Sequence, residues 1–487
     1  MYPELDFEDI PPLPGVSALP TSLSGWVSHI REQDMPAFGF TVDAVRGIIA
    51  DDSASAGRLA AVILRDQAMT TKVLRLANSA YFNAAHQPVS TISRAIVVLG
   101  FDVVADMTVG LALIDALLRG GVRRRVTEEM ARCFFAATVA RGLARMRGEG
   151  RAEEVFIAAL LARVGEMAFW CFGGERAEVL DARMVDVHDD ESIKAVQQTV
   201  LSFPLRQLTH QLAREWRLGG LLAEAIDPAP RPSALVQAIR LGHVMAKAVN
   251  AGWDSVNMRS AIAQAAAFTG EEVEVLRERL EQMATEAAQL ATGYGASDAA
   301  RAIPLPAKAD PTELHEVEAL PEPNRQERQL SILRDLSMRI MSGATFGDIV
   351  YLACEGILHG VGFERVIVAL SSPNGRQIIG KYALGAQSES LSRRFVFTLG
   401  NSPVDAVDEV FATRQPVRGI HPGGRLQGVL GNGPFCMAPI LAQGRCVGLV
   451  HAERDSAEPI DDESFFGFTH FVQHISMGLQ SLRGGAG

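Results

Sequence analysis

Between residues 19 and 291 apolar side chains recur every three or four positions, broken by short stretches such as GEGRAEE and DPAPRPS. That spacing puts the apolar groups on one stripe of successive helices, so this region is expected to be an all-helical domain with a helical extension. The pattern then lapses. From 292 to 325 the chain gathers proline, alanine and acidic residues, the composition of a solvated tether. Residues 1–18, MYPELDFEDIPPLPGVSA, read as an N-terminal tail.

A second region, 326–483, opens with RQLSILRDLSMRIMSG, which sets Leu330, Leu333, Leu336, Ile340 and Met341 along one side of a helix, with Gly343 as its stop. RVIVALSSPNGRQIIGKYALG is two β-rich runs about a Pro-Asn-Gly turn, and FCMAPILAQGRCVGLVHAER repeats the design about Gln-Gly. DDESFFGFTHFVQHISMGLQSL then closes the region as an amphipathic helix with Phe465, Phe468, Phe471, Val472, Ile475 and Leu479 inward. The chain therefore reads as multidomain, an all-α domain followed by an α/β domain of antiparallel sheet plus helices.

Composition narrows the chemistry. A net charge of -11 and a hydrophobic fraction of 48% with 6% aromatics favour helical packing and disfavour a phosphate backbone as partner, so no nucleic acid is expected. Five cysteines stand in apolar or strand-like settings without CxxC spacing, which points to small hydrophobes in a reducing cytoplasm. Charge interrupts every long apolar run, and neither a signal peptide nor a membrane span is expected.

Two stretches are more specific. In LRDQAMTTKVLRLANSAYFN, Asp66 stands at an N-cap position, Met69, Val73, Leu76, Ala77 and Ala80 share a face, and the helix ends in Asn78-Ser79. In PVSTISRAIVVLG, Ser90 or Thr91 caps a helix carrying Ile96, Val97 and Leu99, and Gly100 ends it. These segments resemble the HDOD family, whose members join a "DPxLtxkvLrlaNSa" helix to a following "sIxxAIxxLG" helix. LPTSLSGWV at the start and LTHQLAREWRL around Trp216 extend the resemblance over roughly 19–248. Asn78, Ser79, Gly100 and Trp216 carry the signature. The Asn78-Ser79 pair reads either as local capping or as a buried polar pair that fixes a helix junction or a partner groove.

The resemblance implies the fold of HD-type metal phosphohydrolases and a role in output or scaffolding. Those hydrolases hold two divalent metals with a separate His, an adjacent His-Asp pair and a distal Asp. In FIAALLARVGEMAFW, taken as one apolar helix, Ala162 and Arg163 occupy the positions of the pair. Phe134 and Phe135 stand where the earlier histidine belongs, and AEAIDPAP lacks the later ones, so no metal site, no cofactor and no catalysis are expected. The literal His188-Asp189-Asp190 reads as a polar turn capping a helix from Ser192, against a displaced metal pair. His210 and His243 read as hydrogen-bonded core histidines.

Helix, hairpin, variable middle, hairpin and closing helix resemble a GAF domain, a family that binds small molecules in some members and only dimerises in others. Met437, Leu449, His451 and Arg454 are candidate pocket residues, and His451 reads either as a cavity group or as a satisfied strand residue. The glycine-rich RGIHPGGRLQGVLGNGPF reads as a lid or an ordinary loop. Leu330, Leu333 and Ile340 are candidates for pairing in a homodimer. Together these imply a cytoplasmic signal-transduction protein. A degenerate HDOD scaffold would be coupled to a sensory or dimerising GAF domain, with proteins of a signalling pathway and a small molecule as partners. The alternatives are a metal phosphohydrolase acting on a nucleotide or cyclic nucleotide and a ligand-free dimerisation platform.

Overall fold

In a computed structural model, residues 20–484 are described apart from 50–55, 65, 80–81, 84–88, 119–122, 186, 188, 217, 219, 228, 307–324, 386–387, 401–404, 421–423, 427–428, 431–432 and 456–458. The tail 1–18, His188, the centre of the tether and much of the glycine-rich loop thus lie outside the described residues. The chain divides into two compact units, one of residues 1–43 with 112–314, the other of 44–111 with 315–487.

The first unit is helical. Its spine is the helix Arg123–Met146, which packs against Ala152–Leu161, Ala234–Ala248 and Val273–Gly293. Gly242 permits close approach of Ala234–Ala248, because a Cβ there would run into the Ala136 carbonyl. Phe134 and Phe135 are both buried, their rings 5.5 Å from Tyr294 and 6.1 Å from Trp253. The tether begins later than expected. Val273–Gly293 is followed by a helix Ser297–Ala302 with Ala299, Ala300 and Ile303 buried, and Trp253 Nε1 donates to the Pro304 carbonyl at 3.1 Å. Alanine-rich sequence here packs because each small side chain lets a helix approach its neighbour.

The second unit joins three helices, Ala56–Ile63, Gln67–Ala77 and Ile92–Leu99, to the C-terminal region. That region holds a six-stranded antiparallel sheet of β1 (Arg365–Ser371), β2 (Gln377–Gly385), β3 (Val396–Thr398), β4 (Val417–Gly419), β5 (Phe435–Ala442) and β6 (Arg445–Glu453). Its order is β3-β2-β1-β6-β5-β4. The turn between β5 and β6 has both central residues, Gln443 and Gly444, at positive φ, the geometry that matches strand twist in a two-residue hairpin. One sheet face packs on the helices Phe346–Glu355 and Asp462–Gly484. The other faces a core of Ile367, Phe395, Phe397, Val407, Leu426, Phe435, Met437 and Leu449.

The helix Arg325–Met341 buries Ile332 and Leu336, whereas Leu330 is 68% and Met341 87% exposed. The expected stripe is therefore rotated. Leu333 and Ile340 are half-buried, and a Cβ on Gly478 of the closing helix would come within 3.6 Å of Ile340. Contact with that helix and with Gly356–Val361 selects the inward face here.

Candidate functional site

The residues aligned with the hydrolase metal pair sit at a break, not inside one helix. Ala152–Leu161 ends, Ala162 and Arg163 form a turn, and Val164–Phe172 begins. A close approach explains the break. Gly165 packs so tightly on Thr209 that a Cβ would strike its backbone, and the Gly165 N–H donates to Thr209 Oγ1 at 3.0 Å. Around the turn Leu160, Leu161, Val164 and Met167 are fully buried. The stretch Ala152–Phe172 is long and apolar enough to cross a membrane by composition, yet 83% of its apolar window is buried inside the protein, as in a core helix.

Arg163 points into an ion cluster. Its Nε donates to Glu129 Oε2 at 2.9 Å and its Nη2 to Oε1 at 3.4 Å, while Arg132 Nη1 reaches Glu129 Oε1 at 2.7 Å. The Glu129 side chain is only 7% exposed. Glu166 lies 3.9 Å from Arg163 and accepts from Thr209 Oγ1 at 2.6 Å. Burial pushes the Glu129 carboxyl up, but Arg163 and Arg132 outweigh it and hold the group below its ordinary 4.5. Glu129 in turn raises the proton affinity of Arg163 further.

His243 Nε2 donates to the Ala159 carbonyl, 3.0 Å away, and is pushed down to about 4 by burial and by Arg163. Burial raises the Cys133 thiol, which stays protonated. A fixed guanidinium thus supplies positive charge to a buried carboxylate, with a neutral imidazole nearby. Among the described residues no group of three or more His, Cys, Asp or Glu side chains is arranged to hold a metal ion. His210 is half-buried, and Asp189 is an N-cap accepting from Ser192 N at 2.8 Å.

The signature residues act on the backbone. Asn78 Nδ2 donates to the Leu74 and Val89 carbonyls at 2.9 and 2.7 Å, and its Oδ1 accepts from Val89 N at 2.9 Å, tying the helix end to a strand of chain eleven residues on. Ser79 Oγ, buried, donates to Leu76 O. Thr91, rather than Ser90, caps the next helix, Val97 is exposed, and Gly100 ends that helix at φ 98°, a conformation only glycine adopts freely. Trp216 is buried edge-on to Phe38, with ring centroids 4.7 Å apart.

On the sheet, Met437, Leu449 and His451 share the face that meets the aromatic core, and the His451 ring stacks on Phe435 at 5.9 Å. His451 is fully buried, and among the described residues neither ring nitrogen has a hydrogen-bond partner, so it is not the satisfied strand histidine. Burial, with Arg365, pushes it down to about 3. Arg454 lies elsewhere. Its guanidinium donates to the Gly362 and Val361 carbonyls and to Ser464 Oγ, closing the end of Gly356–Val361 against the last helix, because the strand has ended by residue 453.

Sequence reasoning missed Glu129 and Glu355. Glu129 is the second of two adjacent acids leading into an apolar run, VTEEMARCFF, and Glu355 is the one acid in YLACEGILHG; those interruptions were the available signal.

The HDOD domain model matches residues 35–232, and this stretch is an HDOD domain. An HDOD domain protein of unknown function from Geobacter sulfurreducens is 19% identical, covering 57% of this chain and 98% of its own, at a TM-score of 0.43. A putative phosphohydrolase from Shewanella amazonensis SB2B is 20% identical, with 57% and 97% covered and a TM-score of 0.42. The GAF domain of a phosphoenolpyruvate-protein phosphotransferase from Coxiella burnetii is 12% identical, with 34% and 99% covered and a TM-score of 0.29. No curated protein matches the chain.

Proposed function

We propose that the chain is a cytoplasmic signalling protein whose HDOD domain is a non-enzymatic scaffold and whose C-terminal domain, GAF-like in its succession of elements, supplies sensing or dimerisation. The observation that carries this reading is the contact of Arg163 with Glu129. A guanidinium fixed at the aligned metal position repels a divalent cation and already satisfies the nearby carboxylate. Ala162 offers no ligand atom. His451, buried in an aromatic setting without a hydrogen-bond partner among the described residues, supports a small-molecule site on the sheet face, since a buried imidazole gains by meeting a ligand's donor or acceptor. Five free cysteines fit a reducing compartment.

The test is direct. Purified protein should carry no stoichiometric Mn, Fe, Zn or Mg and should not hydrolyse cyclic nucleotides or phosphoesters. Turnover that chelation abolishes would overturn the scaffold reading in favour of the hydrolase.

A further inference from the structure

The second unit contains a buried carboxylate that none of the functional reading uses. Glu355 ends the helix Phe346–Glu355 of the C-terminal domain and is wholly buried. Its Oε1 accepts from the backbone N–H of Ile92, and its Oε2 accepts from Ser93 Oγ at 3.0 Å and Ser93 N at 3.4 Å. These are the first residues of the Ile92–Leu99 helix, whose opening N–H groups have no partner within the helix itself. A carboxylate there meets both the orphan donors and the positive end of the helix dipole.

The grip has two further points. A Cβ on Gly57 would come within 2.5 Å of the Tyr351 ring, one turn earlier on the Glu355 helix, so the Ala56–Ile63 helix fits flush only because residue 57 is glycine. Ser90 Oγ lies 3.3 Å from Ser331 Oγ. The acid is thus set in a docked joint, not on a loose surface.

We propose that Glu355 is a latch. Its carboxyl group holds the first turn of the Ile92–Leu99 helix, and gain or loss of its proton sets how tightly the C-terminal domain grips the segment 44–111. This rests on the reading of the C-terminal domain as the regulatory partner of the HDOD domain.

Burial pushes Glu355 up to about 7, against the hydrogen bonds from Ile92 and Ser93 and the charge of Arg339, which pull the other way. The elements packed around the Glu355 helix also bring Arg58, Arg94, Tyr382, His359 and His474. Released into water, Glu355 would return to its ordinary 4.5. The docked state therefore binds the proton more tightly than the released one, and docking weakens as pH rises from 4.5 through 7. With those two values, the equilibrium between released and docked states shifts about tenfold between pH 6 and 8.

The experiment is amide exchange of Ile92 and Ser93 in the full chain, with each rate divided by its intrinsic rate at the same pH. Among the described residues these two amides donate to Glu355 and to no other group, so their opening reads the latch. The wild type should open about tenfold more at pH 8 than at pH 6, and Glu355→Gln should show a ratio near one. Equal ratios in the two proteins, or no change in the wild type, would overturn the proposal. Should Glu355→Gln fail to fold, Arg339→Ala decides. Loss of that charge must move the wild-type midpoint to higher pH, and an unmoved midpoint refutes the latch. Neither readout involves turnover or a ligand, so failure here is separate from failure of the scaffold reading.

Discussion

Arg163→Ala removes the guanidinium from Glu129 and offers the sharpest test of what the turn between the two helices does. Breaking a buried ion pair by deleting one partner costs about 3–5 kcal/mol. Two features lower the figure here. Arg163 is 38% exposed, so water screens the pair, and Arg132 keeps its 2.7 Å contact with Glu129. About 2 kcal/mol is the resulting expectation at pH 7.5. The loss should also acquire a pH dependence. In the wild type the folded Glu129 carboxyl titrates below 4.5, so its contribution is present above that value and disappears as pH falls through the folded one.

Without Arg163, less opposes the effect of burial and the folded value rises. The variant's deficit must then shrink as pH falls and grow as pH rises through the new value. All four tryptophans, Trp26, Trp170, Trp216 and Trp253, belong to the first unit, so urea unfolding followed by tryptophan fluorescence reports that unit. Glu129→Gln completes a double-mutant cycle with an expected coupling of about 1–2 kcal/mol. A deficit independent of pH, or coupling below about 0.3 kcal/mol, would show that the pair contributes nothing and that Arg163 is a surface group.

Two further outcomes are expected. Asn78→Ala deletes three hydrogen bonds that join Leu74 and Val89, and should cost roughly 1–3 kcal/mol in denaturant unfolding; unchanged stability would make the corner incidental. Leu330→Glu with Met341→Glu places charge on the exposed side of the Arg325–Met341 helix and should convert a wild-type dimer to monomers by sedimentation, with the sheet domain intact. A monomeric wild type would dismiss pairing through that helix. Ile340 is a poorer probe, since Ile340 and Ile349 both line the approach to Gly478 inside the same chain.

The helices and hairpins were legible because each is coded locally. Asp66 accepts from Ala68 N and Met69 N, Thr91 caps the helix it precedes, and Gln443-Gly444 turns a hairpin, all through neighbours within a few residues. What depended on distant packing was misjudged. The stripe of Arg325–Met341 contains two overlapping apolar rows, and only the partner helix chooses between them. The break at Ala162-Arg163 has no proline or turn residue before Gly165, and it is imposed by Thr209, forty-four residues away by its hydrogen bond. The tether's apparent start was composition alone, and alanine composition serves a close-packed helix as readily as a solvated chain.

The charges inside apolar runs follow the same rule with more consequence. Periodicity treats Glu129 and Glu355 as interruptions of a stripe, and such a residue is usually the edge of a solvated face. Neither is. Glu129 is buried because Arg163 lies 34 residues on, and Glu355 because the donors of Ile92 and Ser93 lie 263 and 262 residues back. An acid placed on a buried face is destabilising until its partner arrives, so its presence there is a statement about a partner rather than about its own helix. The two acids then differ in what the partner is. Glu129 meets permanent cations and stays ionised, which makes it a fixed element of the scaffold. Glu355 meets neutral hydrogen-bond donors, which oppose burial less than permanent cations do, so its carboxyl is pushed up to about 7.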